Sequence, residues 1–343
     1  MTDVRFAVAG AGLIGRRHVE AIGIAQGAAV SAIVDPAPGA ADYAQGLGVP
    51  HFATLEACLE ARVCDGVFLA TPNQIHVVGA LSCVEAGVPV LVEKPLDVDL
   101  AAARRLIDRA GAAGVPVLTG HHRRHNPLIA AAKAAIAAGE IGTPVSAHAM
   151  FWLMKPDDYF DVAWRRAPGA GPVFLNLIHD LDLMRHLVGD VTSVQAISSN
   201  AQRGNAVEET CVIAFAFRNG ALGTANVSDT IVAPWSWELT TGENPAYPMT
   251  GEACYQIGGT HGAIDLPSGR IWSNPGTRSW WEPIQARIAP RISGDPLVRQ
   301  AEQFARVIAD GEAPLVSGRE GLLTLELIDA VSRAARTGTA VTL

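Results

Sequence analysis

The chain has 343 residues, a length that favours two domains over a single core. Its formal net charge of -8, with no long run of either sign, argues against a nucleic-acid or anionic-membrane partner and leaves small molecules as the expected ligands. The five cysteines (Cys58, Cys64, Cys83, Cys211, Cys254) form no CxxC pair, which suits reduced thiols. No apolar run reaches membrane-spanning length, so a soluble, cytoplasmic protein is expected.

In chain order, an apolar run from Val4 to Ala9 enters Gly10-Ala11-Gly12-Leu13-Ile14-Gly15. A helix-compatible stretch from Arg16 to Ala25 follows, then a second apolar run that ends at Asp35. Each part of that order has a task in binding a dinucleotide. Gly10 allows a tight turn, Gly12 lets backbone approach a pyrophosphate, and Gly15 brings the helix close to the strand. Free N–H groups at the helix start face the phosphates. Asp35, twenty residues after Gly15, can accept hydrogen bonds from the adenosine ribose, and its charge repels a 2′-phosphate. The expected cofactor is therefore NAD, with NADP disfavoured.

Helices and strands keep alternating to about residue 120. Helices are expected over 40–47, 55–61, 74–86 and 97–113 (with Asp97 as N-cap), and strands at 51–52, 66–70, 88–92 and 115–119. Ligands of doubly wound sheets lie along the carboxyl ends of the strands. Thr71-Pro72-Asn73 and Glu93-Lys94-Pro95 each follow a strand and so fall on that side. The pattern then changes: a helix from Pro127 to Ala138, a long strand from Pro144 to Met154, a helix from Val173 to Val188, and strands in succession. Arg218-Asn219-Gly220 between two apolar runs signals a hairpin, so the second half reads as α+β with an antiparallel sheet. Asp295 to Ala309 and Arg319 to Arg336 read as closing helices. Five of seven tryptophans (Trp235, Trp237, Trp272, Trp280, Trp281) fall within 233–284, where they line a sugar pocket, form a subunit contact or fill the rim of a sheet.

Two places can carry chemistry. Lys94, just past a strand, can stabilise an alkoxide developing on a substrate hydroxyl and take part in proton transfer. On the later helix, Asn176, His179 and Asp182 are spaced i, i+3, i+6, so either neighbour can orient the imidazole while its other nitrogen faces a substrate. His121 to His125 gathers three histidines with Arg123 and Arg124. No acidic or cysteine ligand accompanies them and two cations would repel a metal, so no metal site is expected.

Together these residues resemble the Gfo/Idh/MocA (glucose-fructose oxidoreductase and inositol dehydrogenase) oxidoreductases over nearly the whole chain. The resemblance is carried by Gly10 to Gly15, by Ala70-Thr71-Pro72-Asn73 with His76, and by Glu93-Lys94-Pro95. Trp164-Arg165 before Gly169 to Gly171, Ile178-His179-Asp180-Leu181-Asp182 and Gly259-Thr260-His261-Gly262 add to it. It implies an α/β fold: an N-terminal Rossmann dinucleotide-binding domain (1–121) and a C-terminal α+β domain (122–343) with a large, mostly antiparallel open sheet. It also implies homodimers or homotetramers that pair sheet faces, and a reacting carbon flanked by Lys94 and His179. The implied cofactor residues are Gly10, Gly12, Leu13, Ile14, Gly15, Asp35, Thr71, Pro72, Asn73, His76, Glu93, Lys94, Trp164 and Arg165. The implied substrate residues are His122, Arg124, His125, Trp152, Arg165, Asn176 and Asp180. In one departure, Leu175 stands where inositol dehydrogenase-like members place an aspartate four residues before the histidine, and Asn176 is the nearest polar substitute. The expected activity is NAD-dependent oxidation of a secondary alcohol on a sugar, sugar acid or cyclitol. A cis-dihydrodiol dehydrogenase and a non-catalytic NAD-binding sensor are the alternatives.

Overall fold

The computed structural model describes residues 3–167, 169–289 and 293–343. The chain forms two compact units, Met1–Asn126 with Gly294–Leu325, and Pro127–Ser293 with Glu326–Leu343.

The first unit is built on six strands: β1 (Val4–Ala9), β2 (Ala28–Val34), β3 (His51–Phe52), β4 (Gly66–Leu69), β5 (Val90–Val92) and β6 (Val117–Thr119). All pair in parallel, in the order β3-β2-β1-β4-β5-β6. This is the doubly wound order of a Rossmann domain, and the crevice at the reversal between β1 and β4 is where such sheets bind ligands. β4 and β5 are buried throughout, as apolar strands covered on both faces must be. Residues 294–325 complete this unit. Helix Pro296–Asp310 starts at Asp295, whose Oδ1 accepts the Leu297 N–H at 2.8 Å, and has proline in its first turn. Its Phe304 ring lies 4.9 Å from Phe6 of β1 and 5.4 Å from Phe68 of β4.

One capping expectation is corrected. Asp99, not Asp97, caps helix Leu100–Ala113, accepting the Ala101 N–H at 2.9 Å. Asp97 is drawn into the preceding turn, where its Oδ1 accepts the N–H groups of Val98 and Asp99, each at 2.8 Å.

The second unit carries β7 (Pro144–Trp152), β8 (Val191–Ser199), β9 (Thr210–Phe217), β10 (Leu222–Ser228), β11 (Tyr255–Gly259), β12 (Gly262–Leu266), β13 (Arg270–Ser273), β14 (Gln285–Ile288) and β15 (Val341–Thr342). They form one nine-stranded sheet, β14-β13-β12-β11-β7-β10-β9-β8-β15, antiparallel except for the β7–β10 pair. The expected hairpin joins β9 to β10, with Gly220 at φ +88° in the turn. Strand alternation sorts β7: Ala147, Ala149 and Phe151 face the core, while His148, Met150 and Trp152 lie half-buried on the other face. The core face packs against helix Ile178–Val188 through Leu181, Met184 and Leu187. The helix expected over 173–188 opens with one wide π turn, Val173–Leu177.

The five tryptophans divide. Trp237 is fully buried and stacked on Tyr255 at 5.6 Å, and Trp272 Nε1 donates to Asp265 Oδ2 at 3.0 Å. Trp235 packs 5.5 Å from Trp152, while Trp280 and Trp281 are exposed. No helix among the described residues is long and apolar enough to cross a membrane.

Candidate functional site

In the first unit the glycine turn joins β1 to helix Leu13–Ile24, and its three glycines are needed for different reasons. Gly10 has φ +96°, and a Cβ there would lie 2.4 Å from the Ala70 carbonyl oxygen at the end of β4. A Cβ on Gly15 would fall 1.8 Å from the Gly10 carbonyl oxygen, so this residue allows the helix to sit against the turn. Gly12 caps the helix, and nothing lies within 4 Å of a Cβ placed on it. The protein does not require glycine at that position, and the open space in front of the helix N-terminus fits a pyrophosphate. Leu13, in the first turn, is 88% exposed, and Ile14 is partly covered.

Asp35, one residue past β2, is aimed at this turn. Its Oδ2 accepts the Ala11 N–H at 2.7 Å and its Oδ1 accepts the Ala37 N–H at 2.8 Å. Each carboxylate oxygen keeps acceptor capacity for a ribose hydroxyl. Past β4, Thr71 and Asn73 are partly covered and Pro72 is exposed. Thr71 Oγ1 is buried without a hydrogen-bond partner, a donor and acceptor that a ligand there can satisfy. His76 is fully buried, with Nδ1 2.8 Å from the Pro95 carbonyl oxygen and Nε2 2.8 Å from that of Thr71. It acts on backbone, tying together the loops that follow β4 and β5.

Glu93 and Lys94 follow β5. Glu93 is buried, with Oε1 2.7 Å from His18 Nε2, and its Oε2 accepts the Lys94 backbone N–H at 3.1 Å. Burial pushes the Glu93 carboxyl upward, but the His18 hydrogen bond and the charges of His18, His122 and Lys94 outweigh it and hold the group at about 2. Glu93 is thus ionised throughout the physiological range. The attraction is mutual, so its carboxylate favours the charged form of the neighbouring ammonium. His18 had no place among the expected site residues. The available signal was a lone polar residue on the buried face of helix Leu13–Ile24, alongside Gly15, Val19 and Ile22.

After β6, His122 is half-buried, while Arg124 and His125 are buried within the first unit. Arg124 Nη2 donates to Glu320 Oε2 at 2.9 Å.

In the second unit, His179, Asp180 and Asp182 are buried on helix Ile178–Val188, and the Tyr255 hydroxyl donates to Asp180 Oδ1. Asn176 lies in the preceding π turn, and its Oδ1 is buried without a hydrogen-bond partner. The change of winding between Asn176 and His179 means that their three-residue separation is not the one-face spacing of an uninterrupted α-helix. Arg165 and Trp164 share the short 3₁₀ helix Ala163–Arg166. Arg165 Nη1 donates to the Tyr159 carbonyl at 2.9 Å, and its guanidinium stacks 4.1 Å above the Tyr159 ring. Trp164 is exposed. Trp152, on the outer sheet face, donates from Nε1 to Asn226 Oδ1 at 3.0 Å.

Residues 4–121 match the model of the oxidoreductase family with an NAD-binding Rossmann fold, and residues 129–265 match the GFO/IDH/MocA C-terminal domain. The chain belongs to the GFO/IDH/MocA oxidoreductase family. Among family relatives, the 1,5-anhydro-D-fructose reductase of Ensifer adhaerens is 29% identical, over 98% of this chain and 97% of that protein. The inositol 2-dehydrogenase of Rhizobium meliloti (strain 1021) is 26% identical over 96% of each chain. Among solved structures, the WlbA dehydrogenase of Bordetella pertussis, in complex with NADH and UDP-GlcNAcA, is 26% identical, with a TM-score of 0.78 over 99% of both chains. Family membership accounts for the parallel first sheet, the glycine turn and the mostly antiparallel second sheet as one inherited arrangement.

Proposed function

We propose that this protein is an NAD-dependent dehydrogenase that oxidises a secondary alcohol on a sugar, sugar acid or cyclitol, with residues 1–121 holding the cofactor and residues 122–343 supplying substrate and subunit contacts. The observation that carries the reading is the set of groups gathered past the carboxyl ends of the first unit's strands. Gly12 opens a helix N-terminus, Asp35 presents a carboxylate to the turn, and Lys94 follows β5 beside an ionised Glu93. The family relatives named above, a reductase and a dehydrogenase of polyhydroxylated compounds, support the substrate class.

NAD, when bound, supplies the acceptor for the hydride leaving the carbinol carbon. The chain's part is to bind, orient and handle the proton. The helix N-terminus at Gly12 faces the diphosphate and Asp35 the adenosine ribose. The Lys94 ammonium donates a hydrogen bond to the substrate oxygen, stabilising the alkoxide as it develops. The hydroxyl proton passes to His179 as the C=O bond forms, or to Lys94 where that side chain starts as the neutral amine instead. Ile197, Val212 and Leu222 on the outer face of the second sheet are 79%, 49% and 63% exposed, and that face is the proposed contact of a homodimer or homotetramer. Five buried cysteines, none in a disulfide, suit the reducing cytoplasm we assign to the protein.

The test is incubation of purified protein with NAD and a panel of sugars, sugar acids, cyclitols and cis-dihydrodiols, following the absorbance of reduced nicotinamide. Reduction with a polyol is expected. Reduction with dihydrodiols alone would replace the substrate class, and tight NAD binding with no reduction at all would leave a sensor.

A further inference from the structure

Lys94 is held on both sides by buried histidines that carry no assigned role in handling its proton. On one side, His18 reaches Glu93 at 2.7 Å, and Glu93 in turn accepts the Lys94 backbone N–H. On the other, His76 reaches the Pro95 carbonyl at 2.8 Å. His18 is fully buried, its ring 4.9 Å from Phe68, and its Nδ1 has no hydrogen-bond partner. The site is shaped around the pair: a Cβ on Gly120 would lie 2.8 Å from Glu93 Oε1, so only glycine leaves the carboxylate its place. A buried hydrogen-bonded polar pair adds little stability over apolar side chains of similar volume. Stability alone therefore does not explain a histidine and a glutamate here in place of two leucines.

We propose that His18 is a positioning residue for Lys94, fixing Glu93 beneath the lysine backbone and so setting where the ammonium stands and how firmly it keeps its proton. The proposal rests on the reading of Lys94 as a proton-handling group. It couples the helix that opens beside the proposed pyrophosphate position, after β1, to the lysine that follows β5, two strands along the same carboxyl edge of the sheet. Glu93 is faced by His18 from helix Leu13–Ile24, by Lys94 on its own segment and by His122 after β6. With His18 removed, burial still pushes the carboxyl up while the largest opposing contributions are gone, so Glu93 protonates at a higher pH. Each protonated Glu93 then leaves Lys94 without its neighbouring anion.

The variants are His18→Leu, His18→Gln, Glu93→Gln and the double variant His18→Leu/Glu93→Gln, with His76→Leu as a control. Turnover is measured from pH 4.5 to 9, and NAD affinity by calorimetry. His18→Leu is expected to lose turnover tenfold or more while its NAD dissociation constant stays within threefold of wild type. It should also acquire a further acid limb, additional to any limb of the wild-type profile. The double variant should lack that limb, and His18→Gln, which keeps an N–H at similar reach, should recover most of the rate. His76→Leu should slow turnover without adding an acid limb to the wild-type profile, because the carbonyl it releases does not titrate. Lys94 is one of three lysines in the chain, so its titration can also be followed by NMR after ¹³C-methylation of the amines, without substrate. In His18→Leu it should shift to lower pH. A variant that melts earlier yet keeps the wild-type pH profile and the wild-type Lys94 titration overturns the proposal. Wild-type protein that reduces no NAD with any substrate overturns the proposed function instead, and the NMR titration then still decides the role of His18.

Discussion

Gly12 and Gly15 sit three residues apart in one motif, yet alanine should do opposite things at the two positions. A Cβ on Gly15 falls 1.8 Å from the Gly10 carbonyl oxygen, where backbone rather than a flexible side chain must yield. Overpacking of that kind costs about 1–3 kcal/mol, which for a unit of this size is a fall of roughly 2–4 °C in melting temperature per kcal/mol. A Cβ on Gly12 meets nothing within 4 Å, and the residue's φ of -73° and ψ of -167° suit any amino acid. The only intrinsic cost is the weaker capping of alanine relative to glycine, about 1 kcal/mol at most. The methyl group instead occupies the space assigned to the pyrophosphate. Gly12→Ala should therefore melt within a few degrees of wild type and lose NAD affinity at least tenfold, about 1.4 kcal/mol. Gly15→Ala should melt several degrees lower. Differential scanning calorimetry with and without NAD, and calorimetric titration of the cofactor, separate the two. Wild-type NAD affinity in Gly12→Ala would refute the placement of the diphosphate, whatever its melting temperature.

Three further outcomes follow from the site. Wild type should prefer NAD over NADP more than tenfold, because a 2′-phosphate carrying about -1.5 to -2 charges meets the Asp35 carboxylate at about 1 kcal/mol per charge pair even in water; Asp35→Ser should lose most of that preference, measured as the ratio of kcat/KM values. Lys94→Ala should lower turnover about 10²- to 10⁴-fold with little change in NAD affinity, and a variant keeping half the wild-type rate would remove Lys94 from the chemistry. If His179 is the proton acceptor, alcohol oxidation rises with pH through a limb that His179→Asn abolishes; survival of the limb in that variant, with an upward shift in Lys94→Arg, would make Lys94 the base.

The cofactor half was legible because its signals are local. Gly10, Gly12 and Gly15 act within one turn, Asp35 ends the next strand, and the alternation of strands and helices fixes a parallel sheet before any long-range contact is known. The hairpin at Asn219-Gly220 was legible for the same reason. What escaped depends on partners distant in sequence or on local backbone geometry that residue types do not mark. Helix Pro296–Asp310 announces an apolar face, but periodicity does not say which sheet receives it; Phe304 settles that by packing on Phe6 and Phe68. Asp97 looked like a cap because only its position was visible, and the loop geometry that gives the role to Asp99 was not. The π turn at Val173–Leu177 likewise altered the spacing of Asn176 and His179 without any proline or glycine inside it to mark the change.

His18 is the instructive omission. Its partner, Glu93, is 75 residues away, and nothing in either local pattern links them. A polar residue on the buried face of an otherwise apolar helix is nonetheless a question that the sequence itself poses, since an unpaired imidazole in a core is costly. The structure answers with a carboxylate lying directly beneath the residue proposed to touch substrate. By our proposal this buried pair, which adds little stability, is kept because it fixes geometry, and the segment it touches carries Lys94. If His18 positions Lys94 as proposed, the orientation of that lysine depends on the same helix whose N-terminus is proposed to face the diphosphate, so a change at the buried face of that helix should be read first in turnover and only second in cofactor affinity.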